Sequence, residues 1–132
     1  MIGLDTNVIV RFLTQDDERQ SAAAGALIGA LTEDEPGFVS SVVLAEIAWV
    51  LDRAYGASRN EIAEAVEGLL RSREVVVENA PAAFRALAAF QRGRRVQFAD
   101  ALIAETATLA GASRVVTFDV GAAAETRMTA LA

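Results

Sequence analysis

The chain has no cysteine, no histidine and no lysine. Without cysteine there are no disulfides and no thiolate metal sites, and nothing calls for an oxidising compartment. Without histidine the commonest metal ligand and general base is missing. Any catalysis must run on carboxylates, hydroxyls, arginine or bound water. Long apolar runs are also lacking. The longest, Val42 to Leu51, is broken by Glu46 and is far too short to span a bilayer. The opening Met-Ile-Gly-Leu-Asp has no basic segment leading into an apolar run, which is not a signal-peptide pattern. A cytoplasmic protein with no membrane partner is the expectation.

What is present fits one domain of 132 residues. At that length folding removes roughly two-thirds of the chain's surface from water, enough for a core without staples. Hydrophobic residues make up 53% of the chain and 28 of its residues are alanine, which favours closely packed helices over a β-sandwich. All 12 basic residues are arginine, and 18 acids leave a net charge of −6. An acidic protein is a poor bulk binder of nucleic acid, because nonspecific affinity comes from neutralising phosphates. Acids that share a site with a divalent cation escape that objection, since the ion reverses the local field.

Ile2 to Leu4 reads as a short buried strand ending at Asp5, followed by helices over Val8–Leu13 and Asp16–Leu31. After Pro36-Gly37, Phe38-Val39 is a second strand. Ser40-Ser41 then caps a helix over Val42–Tyr55, whose apolar positions are Val43, Ile47, Val50, Leu51 and Ala54. Ser58 with Glu61 matches a capping box for the next helix, with Ile62, Val66, Leu69 and Leu70 inward. Val75–Val77 is a third strand, and Pro81–Arg92 a helix with Phe84, Leu87 and Phe90 inward. A basic loop, Arg92 to Arg95, precedes a helix over Phe98–Ala110. Arg114–Phe118 is a fourth strand ending at Asp119, and a weak final strand lies near Met128–Leu131. Strands alternating with helices imply an α/β fold with a mainly parallel sheet covered by helices.

Four acids stand out. Asp5 and Asp119 each follow an apolar strand, and sites in open α/β sheets form at the carboxyl ends of strands. Asp at such a place also begins turns and caps helices for purely structural reasons. Glu46 lies on its helix beside the apolar stripe, where a carboxylate is costly unless it is paired, metal-bound or reaching out to water. Asp100 sits in the first turn of its helix, where the helix dipole alone favours an acid. As a set they carry more. Carboxylates brought together repel one another unless a cation or protons intervene. Oxygen donors without His or Cys select a hard ion, Mg2+ or Mn2+ over Zn2+, and such a site suits phosphoryl chemistry.

Asp5-Thr6-Asn7 after the first strand, Ser-Val-Val-Leu-Ala-Glu46, Phe98-Ala-Asp-Ala-Leu-Ile103 and Thr117-Phe-Asp119 resemble, in order and spacing, the motif series of the PIN-domain family. Within it they resemble the VapC-type toxins of bacterial type II toxin–antitoxin systems. The resemblance implies a three-layer α/β/α sandwich and a Mg2+- or Mn2+-dependent endoribonuclease. It also implies an antitoxin protein that blocks the site, and a homodimer. It carries Asp5, Glu46, Asp100 and Asp119 over as the catalytic and metal-binding acids, with Asn7 and Thr117 in support. Gln97 stands where many relatives have an acid, and Val120 where many have a basic residue. Arg11, Arg92, Arg94 and Arg95 are candidates to hold RNA phosphates through bidentate hydrogen bonds, or else solvated surface residues paired with the excess acids. Thr6 is either part of the motif or simply a cap for its helix. Two other readings stand beside this one. A phosphatase of the haloacid-dehalogenase type needs a second acid where Asn7 stands. A non-catalytic binding module would use the Ala-rich helices as a partner groove.

Overall fold

A computed structural model describes all residues, Met1–Ala132. Apolar runs and capped helical stretches alternate along it: β1 (Ile2–Gly3), α1 (Thr6–Thr14), α2 (Glu18–Gly29), β2 (Gly37–Val39), α3 (Ser41–Tyr55), α4 (Arg59–Arg71), β3 (Val75–Val77), α5 (Ala80–Arg92), α6 (Phe98–Leu109), β4 (Val115–Thr117), α7 (Val120–Glu125) and β5 (Met128–Ala130). Every strand pairing is parallel, so the fold is α/β, with helices making the crossovers that parallel neighbours require. No helix is long and apolar enough to cross a membrane. The chain divides into two compact units, Met1–Glu78 and Asn79–Ala132.

In the first unit β2 lies between β1 and β3. Gly37 faces Ile2 on one side and Val75 on the other. A Cβ at Gly37 would stand 2.7 Å from Leu4 Cδ1 and 3.0 Å from Leu31 Cδ1. The missing side chain is what lets two buried leucines close over the central strand. The ladder runs one residue past β1, since the Leu4 N–H donates to the Phe38 carbonyl at 2.9 Å. It stops at Asp5.

The caps expected for α3 and α4 are formed. Ser40 Oγ accepts from the Val43 N–H at 3.1 Å, and Gly56 closes α3 in the left-handed conformation at φ 61°. The capping box at Ser58 and Glu61 is formed in both directions. The core faces are rotated slightly from the sequence expectation. On α3 the fully buried residues are Leu44, Ile47, Ala48 and Leu51, while Val43 and Val50 are only half-buried and Ala54 is exposed. On α4, Ala63 joins Ile62 and Val66 inside, while Leu69 and Leu70 are half-buried. In an alanine-rich helix several stripes satisfy the helical period, and packing selects among them.

In the second unit α5 packs closely on α6 through small residues, Ala82, Ala83, Ala86 and Ala89 on one helix and Ala101 and Ala104 on the other, all buried. Phe90 and Phe98 meet edge to face, with centroids 6.1 Å apart at 85°. Phe84, expected inward, is exposed. β4 and β5 pair in parallel, joined by the six-residue α7, which the sequence pattern did not foretell.

Candidate functional site

Asp5 occupies the N-cap position of α1 with extended backbone, φ −80° and ψ 157°. Its carbonyl accepts from the Val8 N–H at 3.1 Å, yet its side chain makes no capping bond. The position is that of a cap; the carboxylate stays exposed and free of the helix. Thr6 follows, buried, and its hydroxyl donates to Glu46 Oε1 at 3.0 Å. Thr6 is thus the first residue of α1 and holds an acid forty positions away, rather than capping the helix. Glu46 itself is exposed, flanked on α3 by Val42 and Trp49, which are 69% and 55% exposed. The expected place beside the core is therefore not the one observed, because the buried stripe of α3 runs through residues 44, 47, 48 and 51.

Asn7 and Arg11 line a cleft of about 450 Å³ with Val8, Gln20, Ala23, Ala24 and Leu27. Arg11 is already engaged. Its Nε donates to Gln20 Oε1 at 2.8 Å, its Nη1 donates to the Tyr55 hydroxyl at 2.9 Å, and Asp16 Oδ1 lies 3.5 Å from Nη1. The Tyr55 hydroxyl in turn donates to Asp16 Oδ2 at 2.6 Å. The hydrogen bonds from Tyr55 and Thr14, with the charge of Arg11, hold the Asp16 carboxyl below the usual carboxylate range. For Arg11 a structural network is what the geometry shows.

In the second unit Asp100 stands in the first turn of α6, half-buried, and Asp119 is the exposed N-cap of α7. Burial first, and then the negative charge of Asp119, push the Asp100 carboxyl above its ordinary value. Asp119 Oδ1 accepts from the Ala122 N–H at 3.0 Å, and the Asp119 N–H donates to the Thr117 hydroxyl at 3.0 Å. Thr117 therefore fixes the backbone of Asp119 by accepting from its N–H. Gln97 is the N-cap of α6 and makes no side-chain cap bond. Val120 is exposed at the start of α7.

The basic loop is held by a residue the sequence reading passed over. Glu125, at the end of α7, accepts backbone N–H bonds from Arg94, Arg95 and Val96 at 2.7, 2.8 and 2.7 Å. No local spacing links Glu125 to a loop about thirty positions earlier, so no sequence signal announced it.

The acids thus occur as Asp5 and Glu46 in the first unit and Asp100 and Asp119 in the second. Neither unit gathers three or more acidic side chains into a group able to hold a metal ion by itself. Still, the Asp100–Asp119 pair fits a hard cation on its own chemistry: oxygen donors only, and like charges whose repulsion such an ion removes. A family model described as PIN domain matches residues 2–125. No curated protein matches the chain.

Proposed function

The chain belongs to the PIN-domain family, a family of nucleases in general, and from that premise we propose that it is a Mg2+- or Mn2+-dependent endoribonuclease, the toxin of a toxin–antitoxin pair. The observation that carries the proposal is the PIN-domain match over residues 2–125 with all four motif acids present, and it is supported by Asp100 and Asp119, whose like charges oppose each other. Such a pair is unfavourable in isolation and becomes an asset once a cation neutralises it.

On this reading Asp5, Glu46, Asp100 and Asp119 are the acids of the reaction, and the whole chain works as one nuclease domain. When bound, a divalent ion would make a water easier to deprotonate, so that it could act as the nucleophile at phosphorus, and would draw charge from the phosphoryl oxygens. The protein's own groups do the positioning. Thr6 holds Glu46 through its hydroxyl, Thr117 fixes the backbone at Asp119, and Asp5 keeps a carboxylate unspent on capping. The toxin role, the antitoxin that blocks the site, and the homodimer rest on the motif series from Asp5-Thr6-Asn7 to Thr117-Phe-Asp119. RNA read as single-stranded or unpaired segments suits an enzyme that must reach one phosphodiester.

The test uses purified, antitoxin-free protein with total RNA and Mg2+ or Mn2+, beside an EDTA arm and the variants Asp5→Asn and Asp100→Asn. The expected outcome is cleavage that EDTA or either substitution abolishes. Cleavage that survives in both variants belongs to a contaminant and defeats the proposal. Parallel single-stranded RNA and DNA oligonucleotides decide which nucleic acid is cut.

A further inference from the structure

The carboxylate of Glu125 collects three successive backbone N–H groups, those of Arg94, Arg95 and Val96. Hydrogen bonds from amides to an ionised carboxylate are short and strong compared with neutral ones. Successive amides of this kind commonly make a concavity for an anion. Here the anion is a side chain of the protein itself. Gly93 makes the approach possible. A Cβ there would stand 2.9 Å from Glu125 Oε1, 2.8 Å from Val96 Cγ1 and 3.2 Å from the Ala89 carbonyl oxygen.

The clamp fixes the backbone and leaves the side chains free. Val96 is buried, while Arg94 and Arg95 are exposed. Their guanidinium groups make no hydrogen bond or ion pair within the unit, in contrast to Arg11. The loop also lies beside Asp119. A Cβ at Gly121 would stand 3.3 Å from Asp119 Oδ1 and 3.9 Å from Arg95 Cβ, so the arginine stem and the carboxylate flank the same glycine. Downstream, the same segment leads through Gln97 into the helix turn that carries Asp100. One carboxylate therefore joins the helix that Asp119 opens to the loop that leads to Asp100.

Resting on the nuclease reading above, we propose that Glu125 is a positioning residue: it holds the 94–96 backbone so that Arg94 and Arg95 present their guanidinium groups to RNA phosphates beside the Asp100–Asp119 pair. The placement puts free cations next to acids that would otherwise repel the substrate. Three amide bonds offset the negative charge of Glu125 itself, so the clamp adds little repulsion of its own.

The sign of one substitution separates positioning from charge. The protein carries a net charge of −6, and removing one more negative charge should, by electrostatics alone, tighten binding to a polyanion. Loss of the clamp predicts the reverse. Binding of a labelled single-stranded RNA is measured by anisotropy in EDTA, over a salt series, with the full chain. Glu125→Ala is expected to raise Kd roughly 3- to 10-fold, the scale of losing one or two phosphate contacts. Glu125→Gln removes the same charge but keeps an oxygen for the Arg95 and Val96 amides, and should recover most of the affinity. Arg94→Ala and Arg95→Ala should each weaken binding and lower the slope of log K against log salt by about 0.7. Hydrogen exchange at residues 95 and 96 should quicken in Glu125→Ala and stay slow in Glu125→Gln.

If Glu125→Ala fails to fold, Gly93→Ala takes its place, because it displaces the carboxylate without altering charge. Equal or tighter binding by both Glu125 variants overturns the proposal, as does an unchanged slope in the arginine variants. If that happens while Asp100→Asn still abolishes cleavage, the positioning idea falls and the nuclease reading stands. A parent protein that binds RNA but never cuts it, with either cation, defeats the nuclease reading instead; one that binds no RNA overturns the proposal as well.

Discussion

Asp100 is pushed in one direction by two causes, burial and then the charge of Asp119. Removing the second should leave the first. In metal-free protein, Asp119→Asn is expected to lower the titration midpoint of the Asp100 carboxyl while leaving it above an ordinary aspartate, read from carboxyl ¹³C shifts against pH. An unmoved midpoint would mean that the two acids do not feel each other. The linkage follows from the same direction. The folded state holds this proton more tightly than the unfolded chain does, so Asp100's contribution to stability is greatest at low pH and is lost as pH rises through its raised range. A cation bound there would offset that loss. That Asp5 and Asp119 stand at strand ends and Asp100 in a first helix turn was legible in the sequence, because position along strands and helices is local information. The state of each side chain was not. Asp is favoured at an N-cap because its carboxylate can accept a first-turn N–H, so nothing in Ile-Gly-Leu-Asp5 told that this one makes no capping bond. The Thr6 bond to Glu46 and the Glu125 clamp join residues distant in sequence, which neither spacing nor propensity reveals.

At the scale of elements, caps were read correctly where donor and acceptor lie three residues apart, as with Ser58 and Glu61. Helix α7 was missed because six residues, Val120–Glu125, are too few for a period to show, and its cap, Asp119, also reads as a strand end. Glu105 offers a sharper lesson. It lies seven residues after Phe98 and four after Ala101, on the buried stripe of α6, and only 6% of it is exposed. Its Oε1 meets Arg127 Nε at 3.3 Å, while Oε2 has no hydrogen-bond partner. The ion pair ties α6 to the residue just before β5. Breaking such a pair from the exposed side strands the carboxylate. Arg127→Ala should therefore cost about 1–3 kcal/mol in urea unfolding. Glu105→Leu, which removes the buried charge along with its need for a partner, should be near neutral. Equal losses in the two variants would show that packing, and not charge, sets the cost.

At the scale of the whole molecule, the parallel α/β character was legible from the alternation of apolar runs and helical periods. The division of the strands into β1-β2-β3 and β4-β5 was not. Strands of two or three residues carry too little pattern to name their neighbours. The net charge of −6 gave its own warning against bulk binding of nucleic acid, and the cation proposed above would reconcile it with a nuclease family. Ligands that bind only the folded state raise the melting temperature with their concentration. Adding Mn2+ should therefore raise the melting midpoint of the parent protein, and the rise should shrink in Asp100→Asn. A flat response to millimolar Mn2+ would count against the acidic set as a cation site.

Trp49 is the only indole in the chain, and more than half of it meets solvent, one helical turn beyond Glu46. Water already surrounds much of the ring in the native fold, so its emission colour starts close to that of a denatured chain. A fluorimeter following this protein is therefore a weak thermometer of global collapse and a local gauge of the α3 surface. Quenching that appears while the far-ultraviolet dichroism holds steady reports an arrival beside Glu46.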